Sequence, residues 1–298
     1  MQIFGLTGPA KPRVHGRSVV QAASSFTIVG LQLDALDVQA VPQRGRIEDC
    51  YLTSTPAISS FAGEGTLRVT GSPQVIVTRT DVKGFDDDLN DTPALRVEGS
   101  TVAVVACSFL GGSGTVPPKA SCGEWGASGA ELVGGSRVVA TDSTFQGGDG
   151  APATTFSQCG GNGGTGISPV GSTLELRTCT VIAGKPDLDT FLGTPAPPLA
   201  ASGGLVVSEG VVGTFGSGAI HIVAPYKLPA ISIEPILSPG SSGQLWLTGP
   251  IGEPGILVVS LAADTATLGH YEGTLWILPQ PLLLVPFLTL QVGDFAVL

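Results

Sequence analysis

The densest group of metal-ligating side chains in this 298-residue chain is the stretch FDDDLND. It places Asp86, Asp87, Asp88, Asn90 and Asp91 within six positions. Calcium takes six to eight oxygen ligands, and closely spaced Asp and Asn side chains supply such oxygens. These five residues are therefore the candidate calcium ligands, although the full spacing of an EF-hand loop is absent. Two cations, Arg79 and Lys83, flank the cluster, with Arg68 and Arg96 not far off in sequence. Paired carboxylates for glycoside hydrolysis must face each other at about 5.5 Å or about 6.5–9.5 Å. Asp49, Asp81 and Asp142 do not repeat at one position of a common pattern, so they offer no such ladder. His15, His221 and His270 are far apart, and no His-x-x-x-His or Cys-x-x-Cys spacing points to zinc. There is no G-x-S-x-G elbow, and GGNGGTG lacks the Lys and Ser/Thr of a phosphate-binding loop.

The elements that must position these residues are written in a repeat. GSTVAVVACSFLGG (99–112) returns as GSRVVATDSTFQGG (135–148) and as GSTLELRTCTVIAG (171–184). Aligned on Leu31, Cys50, Thr80, Cys107, Ser143 and Cys179, the intervals are 19, 30, 27, 36 and 36 residues. Two residues later stand Leu33, Leu52, Val82, Phe109, Phe145 and Val181. Three residues earlier stand Ile28, Ile47, Val77, Val104, Ala140 and Leu176. A period of two marks a strand with one buried face, and the step of three marks a corner. A coil of about twenty residues cannot bury its apolar face alone, so successive coils must stack. Cys50, Cys107 and Cys179 are then expected as small buried residues of one internal column, alongside Thr80 and Ser143.

This pattern, GS-x-V-x-V-x-x-C-x-F-x-G-G, resembles the right-handed parallel β-helix repeat of the pectin-lyase-like superfamily, over roughly residues 17–185. The insertions GGSGTVPPKASCGEWGASG (111–129) and GGDGAPATTFSQCGGNGGTG (147–166) are similar to glycine-rich loops of large secreted bacterial β-helix proteins. The resemblance implies an extracellular or cell-surface location and a structural, adhesive or glycan-binding role. It also implies a rival, a carbohydrate-active enzyme (a calcium-dependent polysaccharide lyase or a glycoside hydrolase). In the lyase, Arg79 or Lys83 would act as base beside calcium held by the 86–91 cluster. The NTD, GHG and RIK signatures of β-helix polygalacturonases are absent.

The fold expected is all-β: a parallel β-helix over 1–185, a connector with degenerate last coils over 186–228, and a small sandwich-like domain over 229–298. The last shows short apolar strands between Gly and Pro turns. Cys122 and Cys159 lie 14 and 13 residues before Ser136 and Ser172, so stacked coils could bring them to disulfide distance. The other reading is two unlinked thiols. The two glycine-rich insertions are expected to form the most exposed surface. A net charge of −10 argues against nucleic acid as the partner and leaves a polysaccharide or cell-surface component. LWILPQPLLLVPFLTL (275–290) is broken by three prolines and is shorter than the roughly 20 residues of a membrane span. The first 18 residues lack the apolar core of a signal peptide and begin almost inside a strand-like unit. They read as a fragment, or as a chain without its upstream leader.

Overall fold

The computed structural model describes residues 1–5, 11–53, 64–86, 92–115, 124–152, 160–187 and 195–213, and beyond these only the strands from Ile220 onward. Every regular element among the described residues is a β-strand. No helix among them is long and apolar enough to cross a membrane. The chain divides into two compact units, Met1–Ile222 and Val223–Leu298.

The first unit is a solenoid-like stack of parallel ladders, an architecture compatible with a parallel β-helix. One ladder runs through Phe26–Val29, Gly45–Glu48, Val75–Thr78, Thr101–Val105, Arg137–Thr141, Ile167–Arg177 and Ser202–Glu209. A second runs from Gln32–Gln39 through Tyr51–Thr53, Asp81–Lys83, Ser108–Leu110 and Thr144–Gln146 to Thr180–Ile182. The third takes Arg13–Gln21, Gln32–Gln39, Leu67–Thr70, Leu95–Glu98, Ala130–Val133 and the start of Ile167–Arg177. The register is the one the repeat dictates. Leu52 pairs with Val82, Val82 with Phe109, Phe109 with Phe145 and Phe145 with Val181. Ile28, Ile47, Val77, Val104, Ala140 and Leu176 form the neighbouring column. All these side chains are buried, and the Phe109 and Phe145 rings stack with centroids 5.1 Å apart. Identical slots on successive rungs thus produce one continuous core.

The corners explain the step of three. At the residue before each aligned position the backbone enters the left-handed region: Gly30, Asp49, Arg79, Ala106, Asp142 and Thr178 all have positive φ, as does Gly210 at the corner after Ser202–Glu209. The residue after the corner turns inward. Cys50, Cys107 and Cys179 are buried free thiols, as the repeat predicts. Each donates back to the carbonyl two residues earlier, as Thr80 and Ser143 do. Side chains of this column also serve the rung before: Thr80 Oγ1 accepts the Cys50 amide at 3.3 Å and Ser143 Oγ accepts the Cys107 amide at 3.1 Å. A buried amide at a corner with no ladder partner needs such an acceptor. The Gly-Ser corner works alike, with the Ser72 amide donating to Ser100 Oγ at 2.9 Å.

The ladder continues past the last quoted repeat, because Ser202–Glu209 pairs in parallel with Ile167–Arg177. In the second unit the pairing among the described residues is antiparallel: Ala230–Ile233 with Leu245–Thr248, that strand with Phe295–Val297, Pro254–Val259 with Leu283–Leu288, and Ala266–Thr267 with Thr274–Leu275.

Candidate functional site

The insertions all leave the stack at one place, between the second ladder and the third. Residues 111–115 and 124–129, then 147–151 and 160–166, run out from the solenoid and back. Their described parts include packed layers; residues 116–123 and 153–159, on which the expectation of a most exposed surface also bears, lie outside the described residues. Gly111, Gly112, Gly129, Gly147, Gly148, Gly161, Gly163 and Gly164 are buried. Backbone hydrogen bonds tie the segments together. Ala127 donates to Gly112, Gly148 to Ala127, Gly164 to Gly148 and Gly184 to Gly164, each at 2.8 Å. Partners recur every third residue: Gly111 and Gly114 donate to Gln146 and Asp149, and Gly126 and Gly129 to Asn162 and Thr165. That is the period of polyproline II. Glycine is required because backbones occupy the side-chain positions. A Cβ on Gly148 would stand 1.8 Å from the Gly112 carbonyl oxygen.

The sequence candidates fall into three groups. Arg79 sits at a left-handed corner, φ 46°, and reaches back one rung. Its Nε donates to Asp49 Oδ1 at 2.8 Å, its Nη2 to Asp49 Oδ2 at 3.1 Å, and it also contacts Glu48. The Asp49 bond above all raises the Arg79 pKa, so this guanidinium stays protonated. The same bond holds the Asp49 carboxyl below its usual range against the opposing effect of burial. Lys83 and Asp86 are brought together, with Nζ 3.5 Å from Oδ2, and Asp86 Oδ1 accepts the Ser113 amide at 2.6 Å. Asp87, Asp88, Asn90, Asp91, Cys122 and Cys159 lie outside the described residues. Among the described residues no group of three or more His, Cys, Asp or Glu could hold a metal.

The outer face of the third ladder carries a charged array that the sequence reading did not assemble. Register places Asp37, Arg68, Arg96, Glu131 and Ser168 in one column. Arg68 pairs with Glu64 at 3.4 Å and with Glu98 at 3.5 Å, and Arg96 with Glu131 at 3.4 Å. Burial pushes the Glu131 carboxyl up, and the Arg96 charge only partly opposes this. At the first rung Arg17 forks onto Asp37, with both bonds at 2.8 Å. Arg13 Nη2 donates to Asp34 Oδ1 at 2.8 Å and the Gly16 amide to Asp34 Oδ2 at 2.8 Å. Burial raises the Asp34 pKa, but these donors outweigh it and hold the carboxyl low. Arg13 and Arg17 are four residues apart and Asp34 and Asp37 three, so the pairing carried no matched spacing in the sequence. It becomes legible only once the register is known, since a bulge lies between Val14 and Arg17. Comparison with protein-family models, curated proteins and solved structures finds no match for the chain.

Proposed function

We propose that the chain is a rigid binding or structural solenoid: a right-handed parallel β-helix of the pectin-lyase-like type, secreted or at a bacterial cell surface, with an adhesive, glycan-binding role. The segment 229–298 serves in this reading as a small sandwich-like module. One observation carries the proposal. Charged side chains that could do chemistry are bonded from rung to rung: Arg79 to Glu48 and Asp49, Arg17 to Asp37, Arg96 to Glu131, and Arg137 Nε to Glu175 at 3.2 Å. Charges fixed this way align neighbouring coils and keep the outer faces polar and stiff. Such a surface suits recognition of an extended partner.

The test is retention on immobilised neutral and acidic polysaccharides, with and without calcium, alongside the ultraviolet absorbance of unsaturated uronides. Retention without product is the expected result. The rival lyase would instead release calcium-dependent product, and an Asp87→Ala, Asp88→Ala double variant would lose it.

A further inference from the structure

We propose that a neutral oligosaccharide lies along one face of the glycine layer, stacked on Trp125 and bonded by the polar residues that follow it at intervals of three. This rests on the glycan-binding reading above and names the surface that performs it. A three-residue period returns Trp125 and Ser128 to the same side of their segment, and Asn162 and Thr165 to the same side of the next; Glu131 and Ser168 extend the two rows as paired residues of the third ladder. The two rows are adjacent. The Gly126 amide donates to the Asn162 carbonyl at 2.8 Å, the Ser128 and Thr165 hydroxyls share a hydrogen bond of 2.9 Å, and Glu131 pairs with Ser168 in the third ladder. From Trp125 to Glu131 the row spans roughly 19 Å at about 3.1–3.3 Å per residue. That is a length for several sugar rings end to end.

The indole is the anomaly that points to a ligand. Trp125 is 66% exposed, yet the residues on either side of it are tied to neighbouring segments. Glu124 donates to Thr115 at 3.3 Å and accepts from Ala151 at 2.9 Å, and Gly126 is tied to Asn162. A large aromatic on an ordered backbone loses little freedom on binding, and this preorganisation favours affinity. Its apolar face suits the C–H side of a pyranose ring. Sugar hydroxyls both donate and accept. The Ser128 and Thr165 hydroxyls, the Asn162 amide and the Glu131 carboxyl with Arg96 at 3.4 Å offer both kinds of partner. Glu98 and Glu131 on the adjoining ladder and the net charge of −10 disfavour an acidic glycan, which selects a neutral one.

The experiment is titration of the full chain with cello-, xylo-, manno- and chito-hexasaccharides, by calorimetry and by tryptophan fluorescence. Wild type is expected to bind at least one of them. Trp125→Ala is expected to weaken that binding about tenfold or more, as truncation of a central aromatic does. Asn162→Ala is expected to weaken it a few-fold, in line with the loss of one hydrogen bond. Tyr51→Ala, an exposed aromatic on the second ladder, should leave it unchanged; thermal melting of each variant checks the fold. If both Trp125→Ala and Asn162→Ala bind like wild type, this face is overturned while the glycan-binding reading stands. If wild type binds only acidic polysaccharides, the neutral assignment falls. If it binds no glycan, both fall together.

Discussion

The apolar columns and the glycine layers stack on the same rungs by opposite means. In the core, Leu52, Val82, Phe109, Phe145 and Val181 fill the interior with side chains, and the backbones keep to their ladders. In the glycine layers the backbones themselves fill the space, and Gly112, Ala127, Gly148, Gly164 and Gly184 are linked amide to carbonyl. The core rewards volume and tolerates exchange among hydrophobic residues of similar size. The glycine layer rewards the absence of volume. A core defect should therefore come from removing atoms, and a layer defect from adding them.

The largest effect expected is in the core. Phe109→Ala removes one ring of the stacked Phe109–Phe145 pair from a fully buried slot, and should destabilise the solenoid by about 3–5 kcal/mol in denaturant melts. The mirror experiment adds one methyl group. Gly148→Ala places a Cβ against the Gly112 carbonyl and should cost about 3 kcal/mol, near the upper end for overpacking. Ser113→Ala, in the same layer but partly exposed, should stay within about 0.5 kcal/mol. If Gly148→Ala were as mild as Ser113→Ala, the layers would not be close-packed and the contrast between the regions would break.

Much of the core was legible because its signal is a period. The aligned positions, their partners two later and three earlier, and the buried cysteines all follow from strand alternation plus a corner. The glycine layers were not legible. Glycine carries no periodic apolar mark, and the same composition reads as an exposed loop until backbone partners are known. The candidate sites suffered similarly. Arg79 and the acidic run stood out as charges, but what Arg79 bonds depends on which residue of the previous rung stands beside it, and intervals of 27 to 36 residues leave that open. Trp125 carries no repeat signal, and the residues bonded to its neighbours Gly126 and Ser128, Asn162 and Thr165, arrive only one coil later.

The corner column sharpens the comparison, since it combines both regions' devices: a buried side chain that serves a backbone amide. Cys107 Sγ accepts the Thr80 amide at 3.5 Å and donates to the Val105 carbonyl at 3.2 Å. Cys107→Val keeps the burial but leaves that amide without an acceptor, and should cost about 1–3 kcal/mol. Cys107→Ser preserves both bonds and should cost less than Cys107→Val. Burial pushes the Cys107 thiol up to about 11, from an ordinary 9.0. A group whose folded pKa is raised contributes stability that is fully present below its unfolded pKa and is lost as pH rises through the folded value. Melting temperature should therefore fall between pH 9 and pH 11, and fall less in Cys107→Ser. Asp34 acts at the other end. Its pKa is held low in the fold, so its contribution is present above the usual carboxylate range and is lost on acidification. Asp34→Asn should flatten that acid limb.

The smallest effect tests the corner backbone alone. Thr178 is a β-branched residue at φ 47°, where Gly30 and Gly210 occupy the equivalent corner on other rungs. A non-glycine residue in the left-handed region carries about 1–2 kcal/mol of strain. Glycine removes that strain but adds about 0.5–1 kcal/mol of backbone entropy to the unfolded chain. The exposed hydrogen bond from Thr178 to Asp142 also disappears, and at an exposed site that bond is worth little. The balance leaves Thr178→Gly more stable by at most about 1 kcal/mol. A melt that moves upward by a degree or more would place the corner's conformation in the stack itself, which forces whatever residue stands there into the left-handed region. A downward shift would show that the Thr178–Asp142 bond between rungs outweighs backbone strain. The rung-to-rung polar contacts would then rank above the corner geometry in holding the coils in register.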